Sequence, residues 1–153
     1  MKKKIMYVTI IVLSLVLFPS ISFGPGKCSG DSEYRVAVKK MNGFRLIKDY
    51  RISLLGGRHK NPPNVSFPIT LTSGLKYKFF LIDNPSNESK MIMTIYINAK
   101  QEMLIASTYR AKTKKFYPSI EFECRNTGTY YLFFSFSNAN KGCGVGIFSV
   151  SKS

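Results

Sequence analysis

The stretch Val65-Ser66-Phe67-Pro68-Ile69-Thr70-Leu71-Thr72-Ser73-Gly74-Leu75-Lys76-Tyr77-Lys78-Phe79-Phe80-Leu81 alternates apolar and polar residues on both sides of Ser73-Gly74. A period of two places Val65, Phe67, Ile69 and Leu71 on one face of a strand, and Leu75, Tyr77, Phe79 and Leu81 on one face of the next. Ser-Gly between two such runs predicts a tight turn, so the two runs read as a β-hairpin. Pro68 has no N–H to give a second neighbour, which predicts that the first strand lies at a sheet edge.

The same period continues in both directions. Upstream, Leu46, Tyr50, Ile52 and Leu54 alternate with Arg45, Asp49, Arg51 and Ser53 until Gly56-Gly57, and the polar run 58–64 with Pro62-Pro63 is a loop. Asp31 to Met41 is ambiguous. A cap at Asp31 or Ser32 and a stop at Asn42-Gly43 suit a short helix, while Tyr34, Val36 and Val38 alternate as in a strand. Downstream, Met91 to Ile97 has little polar relief, which predicts a strand that is central or buried on both faces. Met103 to Thr108, Ser119 to Cys124, Tyr130 to Phe136 and Val145 to Val150 follow, separated by turns rich in Asn, Gly and Ser. About eight short strands bounded by such turns predict an all-β chain, an antiparallel β-sandwich or barrel. The aromatic content, 14% with twelve Phe, nine Tyr and no Trp, supplies wide side chains for a core between two sheets.

The chain opens with Lys2, Lys3 and Lys4, an apolar run from Ile5 to Phe18, and small residues thereafter. That order predicts a signal peptide, and the run is shorter than the roughly 20 residues of a membrane-crossing helix. Ser20 and Ser22 place the cut after residue 22, with the Gly24-Pro25-Gly26 side as the alternative. The expected organisation is a signal peptide over 1–22, an N-terminal segment over 23–43 and a β-sandwich domain over 44–153. No transmembrane segment is expected after cleavage. The expected location is secreted, periplasmic or associated with a bacterial cell surface. Cys28 does not make a lipoprotein, because Pro25, Gly26 and Lys27 are not a lipidation box. In an oxidising route two of Cys28, Cys124 and Cys143 can pair; Cys124 and Cys143, flanking one apparent hairpin strand, are the expected disulfide, with buried free thiols as the alternative.

Leu71-Thr72-Ser73-Gly74-Leu75-Lys76-Tyr77, Leu104-Ile105-Ala106-Ser107 and Gly128-Thr129-Tyr130-Tyr131-Leu132 together resemble bacterial pre-peptidase C-terminal domains, over about 65 residues. In those segments stand the leading hairpin, an interior strand and the closing Gly-x-Tyr strand of that family. The resemblance implies a secreted, jelly-roll-like sandwich, non-catalytic, that binds substrate or surface polymers. The chain departs from it where calcium ligands are often found, since the turn after Ile97 carries Asn98, Lys100 and Gln101. No peptidase stands beside the domain, so an accessory role in cis is not expected.

Little catalytic chemistry is legible. The sole histidine, His59, lies between Arg58 and Lys60, whose charges disfavour its protonation, and a triad or zinc site needs more. Glu121 and Glu123 share one strand face about 7 Å apart, whereas a glycosidase pair faces across a cleft. Gly142-Cys143-Gly144-Val145-Gly146 leads into a strand, where a phosphate loop would open a helix, and so reads as a bulge or close-packed strand entry. No cofactor, nucleotide or metal motif is found, and an enzyme is not expected.

Charge is more informative. The whole chain carries 23 Lys plus Arg against eight acidic residues; without Lys2, Lys3 and Lys4, 20 remain and the net charge is near +12. Such a charge favours polyanionic partners. The candidate binding residues are Arg58, His59 and Lys60 in one loop and Tyr109, Arg110, Lys112, Lys114 and Lys115 in another, with Phe116 and Tyr117 beside them. Cations interleaved with rings suit an anionic glycan or another polyanion. The alternative is an envelope assembly component that pairs a protein partner with its exposed edge strand near Val65.

Overall fold

The last strand organises the molecule. In the computed structural model, which describes residues 29–58 and 62–152, strand β10 (Gly142–Ser151) is buried along nearly its whole length. Its neighbours are β1 (Phe44–Leu54) on one side and β3 (Lys76–Asp83) on the other, and β8 (Ser119–Glu123) completes a sheet of order β1-β10-β3-β8. The second sheet has the order β2-β9-β4-β5, formed by β2 (Asn64–Leu71), β9 (Gly128–Phe136), β4 (Met91–Tyr96) and β5 (Leu104–Ser107). All pairings are antiparallel. Two four-stranded sheets in this order form a jelly-roll sandwich. A two-residue pair, β6 (Tyr109–Arg110) with β7 (Lys115–Phe116), stands apart as a small hairpin between β5 and β8.

The core lies between the sheets. Phe79 stacks on Phe148 at 4.8 Å, and Phe134 lies 5.6 Å from Tyr50 and 6.1 Å from Phe67. Burial with ring contact of this kind is the main stabilising contribution in a sandwich without Trp. On the outer face of the first sheet, Phe80, Val145 and Ile147 are covered by Ala37 of helix α1 (Asp31–Lys39). The helix outcome at 31–39 follows from that cover: only Glu33 and Ala37, four residues apart, are buried on it. A register shift between Leu46 and Lys48 in β1 sends Leu46 toward the helix side, while Tyr50 and Ile52 enter the core.

The expected hairpin around Ser73-Gly74 is not formed. β2 pairs with β9 and β3 pairs with β10 and β8, so Thr72 to Leu75 crosses from one sheet to the other. Alternation fixes which face each strand buries, and two strands that close opposite walls of one core alternate just as paired strands do. Gly74 takes φ +81°, and its N–H donates to the Cys124 carbonyl, a bond between connections rather than within a hairpin. Tyrosines fasten this crossing and the one from β8 to β9. The Thr72 N–H donates to Tyr77 Oη at 2.9 Å, and Tyr130 Oη donates to the Asn126 carbonyl at 2.8 Å. β2 is an edge strand and β4 an interior one, as the sequence predicts.

The glycines of β10 are close-packed strand positions. A Cβ at Gly142 would lie 2.4 Å from Phe136, at Gly144 2.6 Å from the Ile82 carbonyl oxygen, and at Gly146 2.4 Å from Phe134. Their alternate spacing opens one core-facing groove along β10 into which the rings of β9 settle.

Candidate functional site

Jelly-roll order dictates what meets at each end of the sandwich. The connections β1–β2, β3–β4, β5–β8 and β9–β10 all leave their sheets at one end. Hydrogen bonds tie them there: the Gly57 N–H donates to the Ala139 carbonyl, the Ser137 N–H to the Lys90 carbonyl and the Asn84 N–H to the Cys143 carbonyl. The two basic segments singled out in the sequence, 58–60 and 110–115, belong to the first and third of these connections. Pro62 and Tyr109, one from each, line a shared hollow of about 310 Å³. Arg58 is exposed; His59 and Lys60 lie outside the described residues.

The second basic segment is a built feature. Thr108, 1% exposed, roots it: its hydroxyl accepts from the Met93 N–H at 2.8 Å, and its carbonyl accepts from the Tyr117 N–H at 2.7 Å. From that base the β6–β7 hairpin projects. Tyr109 packs on Phe116 with ring centroids 4.6 Å apart, and the Arg110 guanidinium and the Lys115 ammonium lie 6.0 and 5.4 Å from the Tyr117 ring. Lys112 and Lys114 occupy the tip, both exposed. Lys114 holds a left-handed backbone, φ 52°, closing a single 3-10 turn over 111–113. A β-carbon makes that conformation costly by about 1 kcal/mol, and glycine would avoid the cost.

Electrostatically the hairpin is unneutralised. Among the described residues the ion pairs join Arg51 to Asp31 and Asp49, and Lys76 and Lys78 to Glu121. None reaches Arg110, Lys112, Lys114 or Lys115. Two further exposed cations, Lys90 and Lys141, stand in the β3–β4 and β9–β10 connections of the same end. The sequence reading missed both, because each is a single lysine in its own turn; only strand order brings them to the hairpin's end.

A larger hollow, about 760 Å³, lies elsewhere, between the open edges β5 and β8. Its walls expose Ile97, Leu104 and Ile105, and Cys124 and Tyr130 close its floor. Cys124 is a free thiol, 2% exposed, whose Sγ donates to the Asn126 carbonyl at 3.2 Å. Burial, and then the Cys124 thiol beside it, push the Tyr130 hydroxyl above its ordinary value. The described groups lining this groove include Arg125 and no imidazole. The run Met103-Leu104-Ile105, three apolar residues in succession, is the sequence signal that marks its exposed wall.

The expected Cys124–Cys143 disulfide is not formed, since Cys124 is free. The two residues sit at opposite ends of β3. Cys124 pairs its N–H with the Leu75 carbonyl before β3 begins, and the Cys143 carbonyl accepts from Asn84 after it ends. Eight strand residues separate them by about 27 Å, where a disulfide needs Cα atoms within about 7 Å. Glu121 and Glu123 lie on the outer side of β8, with Glu121 held below its ordinary pKa chiefly by the Lys76 hydrogen bond at 2.9 Å.

Among the described residues, no three His, Cys, Asp or Glu side chains converge as a metal site. No described helix is long and apolar enough to cross a membrane. No family model and no curated protein matches the chain.

Proposed function

We propose that the chain is an exported, non-catalytic β-sandwich module that binds an anionic polymer or glycan at the cell envelope or outside the cell. The observation that carries this reading is the β6–β7 hairpin, where four cations within residues 110–115 project beside three aromatic rings with no carboxylate partner. The rings serve two purposes: Tyr117 holds Arg110 and Lys115 in place, which lowers the entropy lost on binding, and each ring offers a face to a sugar or base. Lys114 in a left-handed backbone supports the same reading, because strain retained at an exposed loop tip accompanies function.

The test is retention of the mature protein on heparin-like, peptidoglycan and neutral-polysaccharide matrices across a salt gradient. Arg110→Gln, Lys112→Gln, Lys114→Asn and Lys115→Gln are combined, and a control neutralises Lys39 and Lys40 at the end of α1 and Arg45 and Lys48 on β1. Each contact released lowers the slope of log K against log salt by about 0.7, so the hairpin variant loses up to about 3 from the slope. Equal losses in both variants would reduce the effect to bulk charge and reject the site.

A second reading is assembly by strand addition to the open edge of β2, favoured by its eight-residue length and its position outside β9. Main-chain pairing of that kind is insensitive to salt. Absence of retention on every matrix shifts support to this reading.

A further inference from the structure

We infer that the basic end of the sandwich docks on an anionic lipid surface, with Leu55 as the side chain that enters the acyl region. Leu55 follows β1 directly and is 83% exposed, the most exposed of the large apolar side chains among the described residues. It adds nothing to the core, and a loop tip ordinarily carries polar residues. The backbone around it is fixed. β1 pairs Leu54 with Gly142, so Leu55 falls beside Lys141, and a Cβ built on Gly56 would lie 3.3 Å from the Lys141 backbone nitrogen. The Gly57 N–H then donates to the Ala139 carbonyl at 2.8 Å, with Arg58 following at once. An aliphatic side chain is thus held in water between two cations.

A second apolar tip stands at the same end. Phe116 of the β6–β7 hairpin is 37% exposed, between Lys115 and Tyr117. The cations of 110–115, Arg58, Lys90 and Lys141 are all exposed, and among the described residues of the four connections at this end Glu88 is the one exposed carboxylate. Apolar tips flanked by cations match a membrane interface. Lysines and arginines lie at the headgroups of anionic lipids, each raising affinity about fivefold, and the apolar side chain passes below them. Tyr109 and Tyr117 suit the same boundary, each with an apolar ring and a polar tip. A polymer in water meets the cations equally well but offers Leu55 no apolar phase.

The inference goes beyond the polymer reading. It shares that reading's cations but rests on Leu55, so retention on a glycan matrix and entry into a bilayer are separate outcomes. Attachment is peripheral: the tips reach the interface while the sandwich stays in water. The opposite end, where the chain crosses from β2 to β3 through Leu75, faces away from the lipid.

The chain has no Trp, so a single introduced one reports its own surroundings. Mature protein carrying Leu55→Trp is mixed with phosphatidylcholine vesicles, with the same vesicles containing phosphatidylglycerol, and with heparin. A blue-shifted emission, quenched by brominated acyl chains, is expected with the anionic vesicles and with neither of the others. Leu75→Trp, at a site 43% exposed on the opposite end, should show no shift. In co-sedimentation Leu55→Ser should bind the anionic vesicles about tenfold more weakly, with heparin retention unchanged and a Tm within about 2 °C of wild type. Anionic vesicles bound without a shift at Leu55, or bound by Leu55→Ser as by wild type, would reduce the effect to charge and overturn the inserted tip. No binding to any vesicle would overturn the docking itself, while heparin retention decides the polymer reading on its own.

Discussion

Gly146→Ala isolates the fit between β10 and the facing sheet. The added Cβ would stand 2.4 Å from Phe134 Cε1 and 2.6 Å from Cζ, where ordinary contact begins near 3.4 Å, so the ring must move by about 1 Å. It has nowhere to go. Phe134 is 0% exposed, with Tyr50 and Phe67 against it. Overpacking of this kind costs about 1–3 kcal/mol, and loss of glycine's unfolded-state freedom returns about 0.5 kcal/mol, leaving a net loss of about 1.5 kcal/mol. For a domain of this size that is a fall in Tm of about 6 °C, read by circular dichroism with a urea midpoint as cross-check. Gly128→Ala is the control, since a Cβ there meets nothing within 4 Å, and its Tm should stay within about 2 °C. Phe134→Leu combined with Gly146→Ala should cost at least about 1 kcal/mol less than the sum of the single changes, because the smaller side chain vacates the space the methyl needs. Additive losses, or a Gly146→Ala protein that melts with the wild type, would refute the groove along β10.

Two further expectations follow from polar contacts. Tyr77→Phe strips the partner from the Thr72 N–H and should cost about 1–2 kcal/mol, whereas Tyr130→Phe leaves the Asn126 carbonyl bonded to Cys124 Sγ and should cost about 0.5–1 kcal/mol; urea titrations rank the two, and the reverse order contradicts the assigned bonds. At Glu33, burial pushes the carboxyl up, but bonds from the Ser32 hydroxyl, the backbone and the Asn84 amide outweigh it, leaving the pKa below the ordinary 4.5. A lowered carboxyl binds fewer protons folded than unfolded, so its contribution is present above pH 4.5 and is lost as pH falls through the folded value. Glu33→Gln should therefore be less stable than wild type at pH 7, and the difference should close under acid; a gap independent of pH rejects the charged role.

Strand placement was legible because each strand buries one face, and the alternation of residues such as Tyr77, Phe79 and Leu81 records it. Pro68 marked an edge and Met91 to Tyr96 an interior position for reasons local to each strand. Pairing was not legible at Ser73-Gly74. A turn between two alternating strands looks alike whether the second strand returns beside the first or crosses to the opposite sheet, and the difference lies in the distant Gly74–Cys124 contact and in the pairing of β2 with β9 and of β3 with β10 and β8. The cysteine pairing failed with it, since proximity of Cys124 and Cys143 assumed that neighbours in sequence are neighbours in space. The cations at 110–115 were legible as a cluster because they share one loop, while Lys90 and Lys141 were not, each being alone in its turn.

The placement of the basic hairpin explains how the molecule can hold so much like charge without straining its core. The β5–β8 connection joins the outer strands of opposite sheets, so an inserted hairpin interrupts no ladder and needs only the root at Thr108. Five of the eight acidic residues, meanwhile, are spent on structure: Asp31 and Asp49 on Arg51, Glu121 on the lysines of β3, Glu33 on Asn84, and Asp83 on the Met91 N–H at 2.8 Å. These five carboxylates are thus held against the sheets and helix, and Glu88 is exposed in the β3–β4 connection, while the cations of 110–115, Lys90 and Lys141 gather in the loops at one end. That arrangement confines repulsion to exposed tips, where water and salt screen it, so attraction of a polyanion to this end should be strongest at low ionic strength.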